Sequence, residues 1–436
     1  VISPQISDKY NNLFEDSSIW LGFKAVFYIF AALTKTCLKM KKILFSAALA
    51  LVFVSCSRDE VVEVNRDGDE IQFNVVSDAA TRAENVYCNN NMPTEFRVWA
   101  ERSGVTDGSP SSYIDGDVIK RQGDAAPYTW KNTSGVRYWP EGNMRFLAEV
   151  NAGDALKWNE GDPIIENYTV PTDVKLQKDL LIAEQDASKK DGQVLLNFRH
   201  VLSQIVFQAR NTNANLYVEI SGVTICNLAN TGTYILGEDT EGNRENHEGK
   251  ELDIDDKNTW MGEDSQILSG GSIDYPVKFN AVPVPGDNKP TSLTNTNDTD
   301  KEFSSNAMLL LPQVTSPWAP APDNGKPGKD TQTGTYFLVD CKICNVEGEE
   351  YAATDVVLWN GPVAIPAGFN WSEGKKYIYT FVFGDGNGGY NPNPEPDDPN
   401  DPDPDPEPVL TPITFDVTVD DFVPVANKDY QMQTNN

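Results

Sequence analysis

The sequence predicts an all-β protein, and three features carry that prediction. From Ile71 to about Gly384, short runs alternate apolar and polar residues, as in Phe96/Val98/Ala100 and Tyr377/Tyr379/Phe381/Phe383. This is the period-2 pattern of half-buried strands. Gly, Asn, Asp and Pro punctuate these runs where turns need them. No long apolar pattern of period 3.6 occurs, so no extended amphipathic helix is expected. Together these features have the texture of β-sandwich domains.

Residues 1–39 begin with Val and contain an apolar run, Ile19 to Leu33, broken by Lys24. They are expected to be upstream translation with no part in the mature fold. Residues 40–55 follow as MKKILFSAALALVFVS, with Lys41 and Lys42 ahead of an apolar core from Ile43 to Val54. That core is too short to span a bilayer, which takes about 20 apolar residues, and suits a cleaved signal peptide. Ser55 before Cys56 resembles a bacterial lipoprotein signal, with Phe53 standing where such signals usually carry Leu. The resemblance implies acylation of Cys56 and a lipid anchor in the outer membrane, the protein facing the cell surface. Residues 56–70 are a polar, charged spacer suited to holding a body off the membrane.

The mature chain, Cys56 to Asn436, has 381 residues, long enough for two domains. It carries 29 basic and 62 acidic residues, a net charge of −33. Such a surface repels nucleic acid and anionic headgroups, and neither is expected as a partner. With Cys56 acylated, Cys88, Cys226, Cys341 and Cys344 remain, which allow three disulfide pairings that sequence cannot rank. Stability must therefore come from apolar burial.

The first strand is Ile71-Gln72-Phe73-Asn74-Val75, followed by an exposed loop, SDAATRAEN. The N-terminal sandwich is expected over 71–190, ending after the charged turn ASKKDG, and the C-terminal one over 191–383. The run VLLNFRHVLSQIVFQAR places Leu196, Phe198, His200 and Leu202 on one face, then shifts phase to Ile205, Phe207 and Ala209. A shift of this kind marks a β-bulge or a strand passing between packing environments. Residues 288–306 form a long polar loop.

Residues 384–412 are a tether. Gly384 to Pro408 holds eight Pro and eight acidic residues with no Lys or Arg, which neither a helix nor a central strand tolerates. Extended at about 3.1 Å per residue, it reaches roughly 90 Å. Residues 413–436 begin with Ile413, Phe415, Val417 and Val419 alternating with polar residues without an error. An isolated strand is unstable, so this one must complete a sheet, in its own chain or in another.

Chemistry is sparse. His200 lies on an apolar face and reads as a satisfied core residue, and His247 as a solvated loop residue. Neither is accompanied by a nucleophile-elbow motif, so no catalytic residue is expected. Cys341 and Cys344 lack the second pair of a zinc site, and Phe337, Val339, Cys341 and Ile343 share one face of a strand. Asp385 to Gly389 lacks the later ligands of a calcium loop. No metal or cofactor is expected. The eight mature tryptophans, Trp99 to Trp371, are read as core aromatics, with a sugar-stacking platform as the alternative.

Several motifs in order resemble the fimbrillin family, the subunits of Bacteroidales type V pili and related surface lipoproteins. They are Ile71-Gln-Phe73 with Thr81-Arg82-Ala83, Tyr138-Trp139-Pro140 with Phe146-Leu147-Ala148, and Gln177-Lys178-Asp179-Leu180-Leu181. Phe198-Arg199-His200-Val201-Leu202-Ser203, Gly232-Thr233-Tyr234, Leu309-Leu310-Leu311-Pro312-Gln313 and Gly374-Lys375-Lys376-Tyr377 complete the set. The resemblance implies two transthyretin-like Greek-key β-sandwiches in tandem and a structural, adhesive role. Its partners would be other fimbrial subunits, self or accessory, and a host or bacterial surface ligand. It also implies polymerisation by strand exchange after proteolysis in the loop behind the first strand. Arg82-Ala83 matches that cleavage position, with Arg58 and Arg66 as other candidates, and Ile413, Phe415, Val417 and Val419 would form the donor strand. The alternative function is a glycan-binding outer-membrane lipoprotein of a polysaccharide uptake system.

Overall fold

The computed structural model describes residues 69–77, 87, 92–104, 111–124, 128–158, 163–236, 244–245, 251–252, 260–262, 266–294, 307–318, 334–346, 356–384, 389–392, 407–408 and 413–421. The leader, Cys56, most of the spacer, Arg82, Ala83, His247 and most of the tether lie outside the described residues. The chain divides into Val1–Asn65, which is not described, and Arg66–Asn436, which contains everything below.

Strands of four residues or more are numbered in order. The first eight are β1 (Gln72–Ser77), β2 (Glu95–Arg102), β3 (Ser112–Gln122), β4 (Thr129–Asn132), β5 (Asn143–Val150), β6 (Ile164–Thr169), β7 (Leu181–Ser188) and β8 (Gln193–His200). They are followed by β9 (Ser203–Asn211), β10 (Leu216–Leu228), β11 (Thr231–Ile235), β12 (Ile273–Val284), β13 (Tyr336–Asn345), β14 (Val356–Pro366), β15 (Lys375–Phe383) and β16 (Ile413–Asp421). Among the described residues the only helical turns are three short 3₁₀ segments, so the all-β expectation holds.

One seven-stranded sheet runs β1-β8-β7-β5-β2-β3-β4. It curls on itself: Phe73 on the edge strand β1 meets Phe96 on β2 edge-to-face at 6.0 Å, although three strands separate them along the sheet. Inside the curl Ile71, Phe73, Phe96, Val98, Phe146, Leu196 and Phe198 form one core. Each such side chain contributes about 1.5–3 kcal/mol by leaving water. The other face is covered as well. Trp99, Leu147 and Ile182, which alternate with core residues on β2, β5 and β7, belong to a second cluster shared with the C-terminal strands.

Those strands form a sheet containing β9-β15-β16 and a facing one running β12-β10-β13-β14, while β11 pairs with β6. Phe207 of β9, Phe337 of β13 and Phe381 of β15 pack ring against ring between the two large sheets.

Sheet membership changes at Val201–Leu202, later than the expected boundary near residue 190. The charged turn expected to end the first domain only joins β7 to β8, closed by a capping box between Ser188 and Asp191. The phase shift marks the true crossing: β8 ends in the first sheet and β9 begins in the next. It is a passage between environments, because Leu196 and Phe198 enter one core and Ile205, Phe207 and Ala209 the other.

Candidate functional site

Among the described residues, the segments singled out for assembly, Ile71–Val75 and Ile413–Val419, lie on the first and last strands. β1 is an edge strand parallel to β8, paired from Gln72 opposite Gln193 to Ser77 opposite Phe198. Its alternation sends Ile71 and Phe73 into the core, 3% and 6% exposed, with Val75 packed beside them. The Phe73 ring sits edge-on to both Phe96 and Phe146.

The chain just before β1 is held on its other side too. The Ile71 amide donates to the Arg137 carbonyl at 2.8 Å and the Trp139 amide to the Asp69 carbonyl at 3.1 Å. Arg137 in turn grips the buried Asp117 with two hydrogen bonds of 2.7 and 2.9 Å, and Asn132 donates a third at 2.7 Å. Burial alone would raise the Asp117 pKa. The bonds from Arg137 and Asn132 outweigh it and hold the carboxyl below its usual value. The entry to β1 is thus fastened to the far side of its own curled sheet.

β16 pairs with β15 of the same chain, antiparallel and in unbroken register from Ile413 opposite Phe383 to Asp421 opposite Lys375. It ends its sheet, with no strand beyond it among the described residues. Ile413 is fully buried and Phe415 partly so, against Phe337 at 5.3 Å and Tyr379 at 5.9 Å. Val417 and Val419 continue the same face but are 49% and 52% exposed. Arg210 on β9 reaches across β15 to Asp416 at 2.8 Å.

The remaining landmarks converge on the crossing between sheets. Asp179 and His200 form a buried pair at 2.9 Å, and the Tyr87 amide donates to the same carboxylate at 2.9 Å. His200 is therefore a satisfied core residue, as its pattern predicts. Gln177 accepts from the Leu309 amide, Gln313 from the Ala229 amide, and the Gly374 amide donates to Leu202. Tyr234 donates to Glu373, and both lie close to Arg199. Burial raises the pKa of Tyr234 and that of Glu373. Asp179 is the partner that sequence reasoning missed. Its signal was a lone acid directly ahead of the apolar Leu180-Leu181.

A family model described as fimbrillin-like matches residues 81–395. The chain belongs to the fimbrillin-like family. The match starts behind β1 and stops ahead of β16, leaving both terminal strands outside it. Among solved structures, the fimbrillin-like chain is similar to a candidate cell adhesion protein from Bacteroides ovatus. The identity is 11%, 82% of this chain and 99% of that one are covered, and the TM-score is 0.39. A candidate cell adhesion protein from Parabacteroides distasonis gives 10% identity, 81% and 99% coverage and a TM-score of 0.39. The C-terminally truncated tip fimbrial protein Mfa3 from Porphyromonas gingivalis gives 9%, 81% and 99%, and 0.28. No functionally curated protein matches the sequence.

The rest of this fimbrillin-like chain offers little chemistry. Among the described residues no three His, Cys, Asp or Glu side chains cluster as metal ligands, and no helix is long and apolar enough to cross a membrane. Cys341 is buried with Phe337, Val339 and Ile343, and burial pushes its thiol up to about 12. An open groove of about 320 Å³ beside β11 is lined by Asn167, Asn230, Thr231, Thr233 and Ser272 with apolar neighbours, and no titratable side chain lines it. None of the eight mature tryptophans is exposed: five are buried and Trp130, Trp158 and Trp359 are half-buried.

Proposed function

We propose that the protein is a structural and adhesive subunit of a fimbrium, lipid-anchored through Cys56 at the outer membrane and facing the cell surface. It joins other fimbrial subunits by exchange of strands. Cleavage between Arg82 and Ala83 would release β1, uncovering the backbone edge of β8 and the apolar floor that Ile71 and Phe73 now fill. The strand carrying Ile413, Phe415, Val417 and Val419 would then enter from a neighbouring subunit by β-strand addition.

The observation carrying this reading is the state of β16. It is a complete amphipathic strand at the edge of a sheet, at the end of an acidic Pro-rich tether, with half of its apolar face exposed. Family membership supports the fimbrial setting.

Mature protein treated with an arginine-specific protease is expected to lose the segment before Ala83 and to form ladders that resist SDS. Deleting residues from Ile413 onward is expected to abolish them. Trimmed protein that stays monomeric would sink the exchange reading.

A further inference from the structure

The groove beside β11 takes no part in the assembly scheme, and two β-bulges shape its walls. Between Gly232 and Tyr234 the pairing of β11 with β6 slips, so Glu166 and Asn167 together face Thr233, and Asn167 turns left-handed at φ 52°. Between Ile225 and Leu228 the pairing of β10 with β12 slips in the same way, with Asn227 at φ 66°. Such bulges bend a strand and re-aim the side chains beside them. Asn167, the β10–β11 turn from Leu228 to Thr231, and Ser272 and Ile273 at the start of β12 all line the groove.

The lining divides by depth. Leu228 and Met261 are buried, Asn230, Thr233 and Ile273 are half-buried, and Asn167, Thr231 and Ser272 are exposed. A neutral polar rim therefore surrounds an aliphatic floor. The rim keeps hydrogen-bonding capacity in both senses. Thr233 Oγ1 accepts from the Asn167 backbone amide at 3.2 Å, which leaves its O–H to donate. Asn230 Oδ1 accepts from Thr231 Oγ1 at 3.3 Å. Asn230 Nδ2, the Asn167 side-chain amide and Ser272 Oγ have no partner among the described residues. Strand addition is closed off here, because β11 is already paired on both sides, to β6 and to Trp260–Met261. The volume of about 320 Å³ is at the small end of ligand clefts, which run from about 300 to 1,000 Å³.

We propose that this groove is the adhesive site of the subunit and takes a neutral sugar residue at the end of a surface glycan. This rests on the adhesive part of the reading above and adds the site and the ligand class. A pyranose presents hydroxyls that both donate and accept, which match the Asn, Thr and Ser groups of the rim. Its C–H face matches Leu228, Met261 and Ile273. Acidic sugars are disfavoured, because no cation lines the groove among the described residues and the mature chain carries a net charge of −33. With no aromatic ring in the lining, one sugar is held weakly, with a dissociation constant on the order of 1 mM. Repetition of the site along a fimbrium offsets that weakness, since each further contact is made at high effective concentration.

The uncut mature chain is tested as a monomer by saturation-transfer NMR. Methyl mannoside, methyl galactoside, N-acetylglucosamine and N-acetylgalactosamine serve as neutral probes, and glucuronic and N-acetylneuraminic acids as acidic ones. At least one neutral probe is expected to bind and the acidic ones are not. Asn230→Ala combined with Ser272→Ala is expected to weaken that binding about tenfold. Ser272→Arg, which fills the mouth from an exposed position, is expected to abolish it. Ser112→Arg, exposed on β3 and outside the groove, is expected to bind like the wild type. Unchanged melting temperatures show that the variants fold.

No binding of any neutral probe at about 10 mM overturns the inference. Binding that both groove variants keep overturns the site while leaving adhesion through another surface intact. Equal binding of an acidic probe overturns the ligand class. Protease-treated chain that forms ladders yet binds no probe sinks the groove alone, whereas chain that binds a probe but forms no ladders sinks strand exchange and leaves the groove standing.

Discussion

β1 and β16 present nearly the same apolar face to their sheets and are held very differently. β1 is bonded along β8, and its entry is bonded to 137–139, so it closes a curled sheet around its own side chains. β16 is bonded along β15 alone, and past Phe415 its apolar side chains face solvent. Alternation thus suffices to bring a strand to a sheet edge. What decides how firmly it stays is whether a second flank and a second layer await it there.

The sharpest test of that contrast is truncation of the two phenylalanines. Phe73→Ala is expected to cost about 3–5 kcal/mol, the range for emptying a closed aromatic site, and Phe415→Ala about 1–2 kcal/mol because its site is half open. Urea unfolding of the intact mature chain measures both, and equal losses would break the comparison.

The clamp on β1 comes next. Asp117→Asn leaves Arg137 without its counter-charge and is expected to cost about 2 kcal/mol. Because the folded Asp117 pKa is depressed, its contribution is complete above about pH 4 and is lost as the pH falls through the lower folded value. Acid titration of the wild type should therefore loosen the β1 amides in hydrogen exchange. In D117N that part of the pH dependence should be absent.

A smaller effect is expected from Arg210→Ala. It removes an exposed ion pair worth about 0.5 kcal/mol, and hydrogen exchange should quicken roughly twofold across β16 without change in β1. Val417→Thr should do least, within about 0.5 kcal/mol in the uncut chain, since the side chain is already half in water. The same substitution should weaken the SDS-resistant ladders, where that valine would be covered.

Much of this was legible residue by residue. The face shared by Phe337, Val339, Cys341 and Ile343, the burial of His200, and the change of phase after Leu202 all follow from local alternation, and all are found. The role of the quoted motifs was not legible. Asp179 and His200, Gln177 and Leu309, and Tyr234 and Glu373 are separated by 21, 132 and 139 residues, and no local pattern records that they meet. The expected boundary near residue 190 rested on a charged turn. Charge reports exposure, however, and a hairpin inside a domain is as exposed as a linker between two.

By itself the sequence determined which residues of each strand face inward, because side chains alternate with a period of two whatever the strand pairs with. It also determined that Ile413 to Val419 would join a sheet, since an amphipathic strand has too little to bury alone. Only the tertiary structure decided which edge that strand takes, and that the entry to β1 is bonded on a second side while β16 is bonded along β15 alone among the described residues. Edges are rows of unpaired backbone groups with nearly the same chemistry everywhere, so the choice among them rests on packing between residues far apart in the chain.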